Sequence, residues 1–280
     1  NLIEKYPHSK FIIFLYDEWP LQGLYHFNYK LNEISFINYI SKYFQKKKLY
    51  LLTKKNVLVL ASTNYLKNEY LKLTNSKNIT KIFYPIDHKF WINKKFNQAN
   101  KYLFLEKNFD YVLFIARGGS SNFRKGGDLL IKILKKFKKN KKIKFLILGE
   151  YNTEYIKKRF ENVEFISIET DNDLRNLYSC VKVNLTLSRY ENLPYSIIES
   201  LCCRVPNVSI DVGGIKEIIS HRSNGWIIKN KKINSISEGI EWCLKNHSKL
   251  KEICRKSVID KFNYQTTKKK IKAINYFINN

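Results

Sequence analysis

From end to end, short runs of β-branched and aromatic residues alternate with amphipathic stretches of helical period, and this confines the chain to the α/β class with parallel sheets. A parallel strand needs a crossover before its neighbour, so each apolar run followed by a helix-length stretch reads as one βα unit. The runs that qualify as strands are residues 10–16, 57–61, 81–84, 111–116, 143–148, 163–166, 181–187, 207–211 and 225–228. They fit two sheets better than one. The division falls in the polar, lysine-rich interval 90–108, between a proline-containing turn and a fresh strand. The pattern predicts part of a Rossmann-like domain over 1–105, a complete second one over 106–262 and a closing helix over 263–280. In that helix Ile271, Ile274 and Ile278 fall on one face.

The most informative stretch inside this frame is Ser-Arg-Tyr-Glu-Asn-Leu-Pro-Tyr-Ser-Ile-Ile-Glu over 188–199. The apolar run before it ends near Leu187, and Pro194 suits the first turn of a helix, where its missing N–H costs nothing. Glu191 therefore belongs at the carboxyl end of a strand. Parallel sheets bind ligands outside those ends, where a helix N-terminus offers unpaired N–H groups to an anion. Asn192, Leu193, Pro194 and Tyr195 bring that backbone to the site, and the three that are not proline supply N–H donors. In the helix, Ile197, Ile198, Leu201 and Cys202 form the face to be buried and leave Glu199 off it. Upstream, Arg117 ends an apolar run and opens Gly118-Gly119-Ser120-Ser121, a loop thin enough to approach a phosphate. Lys125 follows before Gly126 and a helix predicted over 128–137, so two cations are available to a bound anion.

This run, with 200–206, 211–219 and 224–228 after it, resembles the donor half of the retaining family 4 glycosyltransferases of the GT-B fold. Residues 114–117 and 123–126 are similar to the family's strand, Arg, loop and Lys-Gly that grip the donor diphosphate. Residues 16–20 with Gly23, 57–65 and 83–91 resemble a subset that builds bacterial surface polysaccharides. The resemblance implies two Rossmann-like domains facing a cleft, with the N-terminal domain incomplete here and the last helix crossing back onto it. It implies a metal-independent hexosyltransferase with a nucleotide-sugar donor, a glycan or lipid-linked acceptor and no cofactor. By the same resemblance Glu191 accepts hydrogen bonds from the donor sugar, Glu199 holds the ribose, and Asp17, Glu18, Trp19 and His26 border the acceptor. A glycosyltransferase with only three N-terminal strands is expected to bind donor but transfer poorly until an upstream segment is added. One residue departs from the pattern: Arg204 stands where the family has a glycine, at a helix end that favours a left-handed backbone.

Composition narrows the alternatives. A formal charge of +27 over 280 residues raises nucleic acid first, but the excess is nearly all lysine spread over many helical patterns, with no RNP-type aromatic motif, zinc finger or helix-turn-helix. Two explanations stay open. One is codon bias in an AT-rich genome, and the other is docking on an anionic membrane, where each nearby lysine contributes roughly 1 kcal/mol. Five cysteines without Cys-x-x-Cys spacing fit a reduced, cytoplasmic chain, peripheral to the membrane if the docking reading holds. Members of the resembled polysaccharide subset often carry a cysteine cluster soon after the Trp-Pro segment, and this chain has none between Trp19 and Thr53, so by that resemblance no structural zinc is expected. No stretch is long and apolar enough for a membrane span. Asp171-Asn172-Asp173 imitates a metal-binding Asp-x-Asp, yet it opens a helical pattern after Thr170, where acids are favoured without metal. The competing reading to a transferase is a non-catalytic nucleotide-sugar or glycan binder, motivated by the short N-terminal region and Arg204.

Overall fold

The structure is a computed structural model describing residues 2–23, 35–93, 105–106, 108–116, 123–149 and 153–279. It divides into two compact units. The first comprises Asn1–Pro85, Glu191–Leu193 and Tyr264–Asn280, and the second Ile86–Tyr190 and Pro194–Asn263.

The first unit runs α1 (Leu2–Lys5), β1 (Phe11–Leu15), α2 (Ser35–Leu52), β2 (Val57–Ala61), α3 (Asn64–Thr74) and β3 (Ile79–Lys81). Its sheet is parallel in the order β1-β2-β3, with Phe11 opposite Val57 and Val59 opposite Ile79. Side chains alternate across a strand, so the central strand serves two cores. Val57, Val59 and Ala61 join Leu15, Leu66 and Tyr70 on one face, while Leu58 and Leu60 join Ile82 on the other. Thr63 starts α3 by accepting a hydrogen bond from the Leu66 amide at 3.1 Å. The third strand pairs over 79–81 rather than over the apolar 81–84. The ladder closes where the Ile82 amide donates to the Ala61 carbonyl at 2.9 Å, and Pro85, with no N–H, lies just beyond.

The second unit runs β4 (Asp110–Ala116), α4 (Gly127–Phe137), β5 (Ile143–Gly149), α5 (Thr153–Lys157), β6 (Val163–Ile166), α6 (Asp171–Cys180), β7 (Val183–Thr186), α7 (Tyr195–Cys202), β8 (Asn207–Ile210), β9 (Gly225–Ile228) and α8 (Ile233–Phe262). All six strands are parallel, in the order β6-β5-β4-β7-β8-β9. Chain direction through the sheet reverses between β4 and β7, and that switch point opens a crevice at their carboxyl ends. Val112, Phe114, Phe145, Ile147, Val183 and Leu185 carry a continuous core against α4 and α8.

The last helix, α9 (Tyr264–Asn279), belongs to the first unit. Its Ile274 and Phe277 pack on the Leu58, Leu60 and Ile82 cluster, and Thr267 Oγ1 donates to the Phe83 carbonyl at 3.1 Å. The boundary between the units falls at Pro85/Ile86, ahead of the lysine-rich interval, because residues 86–93 are tied to the second unit. The Ile86 amide donates to the Phe262 carbonyl at 2.8 Å, and the Arg255 guanidinium donates to the carbonyls of His88 (2.8 Å) and Trp91 (2.9 Å). All five cysteines are free and buried.

At the end of α7, Arg204 adopts φ +63°, the left-handed backbone that a glycine would take. The Arg204 amide donates to Leu201 and the Val205 amide to Ser200, at 2.9 and 2.8 Å, which closes a Schellman motif without glycine. The side chain is used as well. Arg204 Nε donates to Glu252 Oε1 at 2.7 Å and Nη1 to Asn93 Oδ1 at 2.8 Å.

Candidate active site

In the second unit, a cavity of about 360 Å³ lies at the carboxyl ends of the strands beside the switch point, and Ile115 at the end of β4 and Leu148 at the end of β5 form its apolar wall. Arg124, Lys125, Tyr195 and Glu199 supply its polar lining. The two cations arrive on a single 3₁₀ turn, Phe123–Lys125, and Gly126 ends that turn at φ +74°. A Cβ at Gly126 would lie 2.2 Å from the Leu187 carbonyl oxygen, so only glycine lets the turn cross the end of β7 this closely. The result is positive charge on one side of a crevice whose other side is the start of α7.

α7 buries Ile197, Ile198, Leu201 and Cys202 completely, which leaves Tyr195, Ser196 and Glu199 to the cavity. Beneath Glu199 lies Tyr178 of α6, a fully buried phenol whose hydroxyl donates to the Ser196 carbonyl at 3.0 Å. Burial, and secondarily the Glu199 carboxylate that it also hydrogen-bonds, pushes the Tyr178 pKa well above its ordinary value. Tyr178 therefore stays a neutral donor and steadies the first turns of α7. Asp171 also lines the cavity, and its neighbour Asp173 is engaged in a capping box. The Asp173 amide donates to Thr170 Oγ1 at 3.2 Å, and Asp173 Oδ2 accepts from the amides of Thr170 (3.1 Å) and Glu169 (3.0 Å). The Asp-x-Asp pattern thus has a helix-starting role. Among the described residues, no group of three or more His, Cys, Asp or Glu side chains could hold a metal ion.

The predicted site residues separate as follows. Lys125, Tyr195 and Glu199 come together in the second unit's cavity, with Pro194 as the N-cap of α7. Glu191, Asn192 and Leu193 group with the first unit. There Asn192 Nδ2 donates to the Tyr16 carbonyl at 2.6 Å and to Ser62 Oγ at 2.7 Å, and Thr63 Oγ1 donates to Asn192 Oδ1 at 2.5 Å. Glu18 lies in the first unit beside a smaller cavity of about 170 Å³. It accepts hydrogen bonds from the Tyr65 hydroxyl and, at 2.8 Å, from Gln22 Nε2. Burial and this carboxylate together raise the Tyr65 pKa far above its ordinary range. Asp17 accepts from the Trp19 amide at 2.9 Å, and Lys48 stands over the Trp19 ring at 4.1 Å. Arg117, Gly118 and His26 lie outside the described residues.

Three residues of this site were not singled out by the sequence. Arg124 is adjacent to Lys125 and faces the same cavity; the pair of cations before a glycine was its only linear sign. Tyr178 is remote in sequence from the helix that it supports. Arg189 sits inside the informative run but carries no mark of its own there.

Among the described residues, no helix is long and apolar enough to cross a membrane. Residues 96–259 match the family model described as glycosyl transferases group 1. The N-acetyl-alpha-D-glucosaminyl L-malate synthase of Bacillus anthracis is 23% identical over 230 residues, which is 78% of this chain and 59% of that protein. The chain therefore spans less than two thirds of that relative. Among solved structures, Anabaena Alr3699/HepE in complex with UDP matches with a TM-score of 0.77 at 15% identity, covering 98% of this chain and 74% of that one. WaaG, a glycosyltransferase involved in lipopolysaccharide biosynthesis, matches with a TM-score of 0.72 at 15% identity, over 96% and 78%. At such identities the likeness establishes the fold, which is GT-B. With its model covering more than half of the residues, the glycosyl transferases group 1 family is the one to which this chain belongs.

Proposed function

We propose that the chain takes part in moving a hexosyl group from a nucleotide-sugar donor to a glycan or lipid-linked acceptor in polysaccharide assembly, with retention of anomeric configuration and without a metal. The observation that carries the reading is the switch-point cavity, where Arg124 and Lys125 face the start of α7 and Glu199. A departing nucleoside diphosphate needs its charge neutralised in a fixed geometry, and preorganised cations beside a helix N-terminus supply that. Lys125 and Arg117 act on the diphosphate, Glu199 holds the ribose and Glu191 orients the sugar. In front-face attack the leaving phosphate takes the acceptor proton, so no side-chain nucleophile is required. The reading is in keeping with HepE, solved in complex with UDP, and with WaaG, involved in lipopolysaccharide biosynthesis.

The test is transfer and hydrolysis from a panel of UDP-, GDP- and ADP-sugars, with the product anomer read by NMR. A retained anomer that is lost in Glu191→Ala with the fold intact supports the reading. Lys125→Ala should weaken nucleoside-diphosphate binding by about 10- to 150-fold, the loss of a charge-assisted contact of ~1.5–3 kcal/mol. Unchanged turnover in the first variant and unchanged affinity in the second would move the chemistry elsewhere. Donor binding with no transfer under any condition would favour the non-catalytic binder.

A specific observation also favours a peripheral membrane position on the cytoplasmic side. On α2 the exposed Phe36, Tyr39, Tyr43 and Tyr50 fall at helical spacing, with the exposed Lys42, Lys46 and Lys47 interleaved. Aromatic rings and lysines on one helix face suit an anionic lipid interface. Sedimentation with anionic vesicles at low salt, released by salt and reduced in a Tyr39→Ser, Tyr43→Ser double variant, is the expected result. Equal binding to neutral vesicles, or none, would leave codon bias to explain the lysines.

A further inference from the structure

We propose that Arg189 is a positioning residue: it locks the Phe123–Lys125 turn to the end of β7 and so fixes where Arg124 and Lys125 stand in the cavity. The inference deepens the donor-site reading above and rests on it.

A 3₁₀ turn of three residues has little to hold it, and this one carries two adjacent cations on long, flexible stems. Left to itself it would present those charges as an ensemble. The segment after β7 prevents this from a distance of more than sixty residues along the chain. The Arg189 amide donates to the Arg124 carbonyl at 2.7 Å, and Nη1 donates to the Phe123 carbonyl at 2.6 Å. The same guanidinium meets Asp128, in the first turn of α4, as a fork. Nη1 reaches Oδ1 and Nη2 reaches Oδ2, each at 2.8 Å. It also lies 3.8 Å from the centroid of the Phe123 ring. Gly126 completes the lock on the other side, passing close over the Leu187 carbonyl.

The Arg189 side chain is only 10% exposed although it ends in a charge, and its partners take that charge up within the protein. Hydrogen bonding to Arg189 lowers the Asp128 pKa, so the pair remains ionised over the ordinary working range. This marks Arg189 as a scaffold for the neighbouring cations rather than one more cation for the ligand. A lysine would keep the charge but lose the fork and the stacking.

The experiment measures affinity for whichever of UDP, GDP or ADP the unaltered chain binds most tightly, in the wild type, Arg189→Lys, Lys125→Ala and the double variant. Thermal unfolding is followed alongside. Arg189→Lys is expected to weaken binding about tenfold in the wild type and less than threefold once Lys125 is absent, because much of its effect is exerted through that side chain and only the part through Arg124 remains. Asp128→Asn, which leaves Arg189 in place but breaks the charged fork, is expected to weaken binding several-fold with the same dependence on Lys125. It serves as the second reading if Arg189→Lys does not fold. Equal losses in both backgrounds, or none, would overturn the positioning role while leaving the donor site standing. If Lys125→Ala itself leaves affinity unchanged, the donor-site reading fails and the role of Arg189 falls with it.

Discussion

Both units are built from parallel βα repeats, yet they treat their apolar surface differently. In the second unit β4, β7, β8 and β9 are buried along nearly their whole length, and Phe114 and Phe145 are sealed in one continuous core. In the first unit only the central strand, β2, is buried throughout, whereas β1 exposes Ile12 and half-buries most of its other residues. Most of the large exposed apolar side chains among the described residues belong to the first unit, including Tyr16, Trp19 and the α2 stripe, although Ile92, Phe123, Tyr155 and Ile253 of the second unit are exposed too. Burial on both faces of a sheet, more than possession of a sheet, gives a βα array an independent core. The switch-point cavity therefore rests on the sturdier support, and the first unit presents more exposed apolar surface.

The largest effect expected from this contrast is on stability. Phe114→Ala empties a fully enclosed ring site and should cost about 3–5 kcal/mol. Phe14→Ala in β1 removes a half-buried ring stacked on Tyr84 at 4.4 Å between centroids, and should cost about half as much or less. Chemical denaturation of the two variants tests the comparison directly. Equal losses would show that the first unit's core is as well sealed as the second's.

A half-buried histidine should make the second unit sensitive to acid. His247 on α8 is held neutral, its pKa lowered to about 4 by burial first and by the charges of Lys251 and Lys182 after that. In the unfolded chain the same imidazole titrates near 6.5. Between those values the unfolded chain binds the extra proton, so stability is full above pH 6.5 and declines as the pH falls towards 4. The loss is about 1–3 kcal/mol. His247→Gln should flatten that part of the stability profile, and an unchanged slope would assign the acid sensitivity to other groups.

How much of this was legible in the sequence follows the same division. Six of the second unit's strands were marked by apolar runs with clear boundaries, and the pattern Ile197, Ile198, Leu201, Cys202 marked the buried face of α7 because burial imposes a helical period. β3 was misplaced because Ile82, Phe83 and Tyr84 are apolar for packing reasons, while the pairing lies in the more polar Ile79–Lys81. In the cavity, Lys125, Tyr195 and Glu199 were readable because they are near one another in recognisable runs. Arg189, Asp128 and Tyr178 were not, since their partners are brought together only by the order of strands in the sheet. The unit boundary lies ahead of the lysine-rich interval for a similar reason. Arg255, more than 160 residues away, is what binds residues 88–91 to the second unit.

The smallest effect sharpens the comparison at a single residue. Arg204 occupies a left-handed position that costs a side chain about 1–2 kcal/mol relative to glycine. In return it ties the end of α7 to Glu252 on α8 and to Asn93, both within the second unit. Glu252 is largely exposed, so that ion pair contributes little. The Schellman hydrogen bonds are made by backbone and persist whichever residue stands there. Arg204→Gly should therefore change stability by less than about 1 kcal/mol, with backbone relief and lost side-chain contacts nearly cancelling, and leave donor affinity unaltered. If unfolding experiments instead give a loss of several kcal/mol, the side-chain ties of Arg204 hold the unit together more firmly than its exposed partner implies. The sturdiness of the second unit would then depend on its surface as well as on its core.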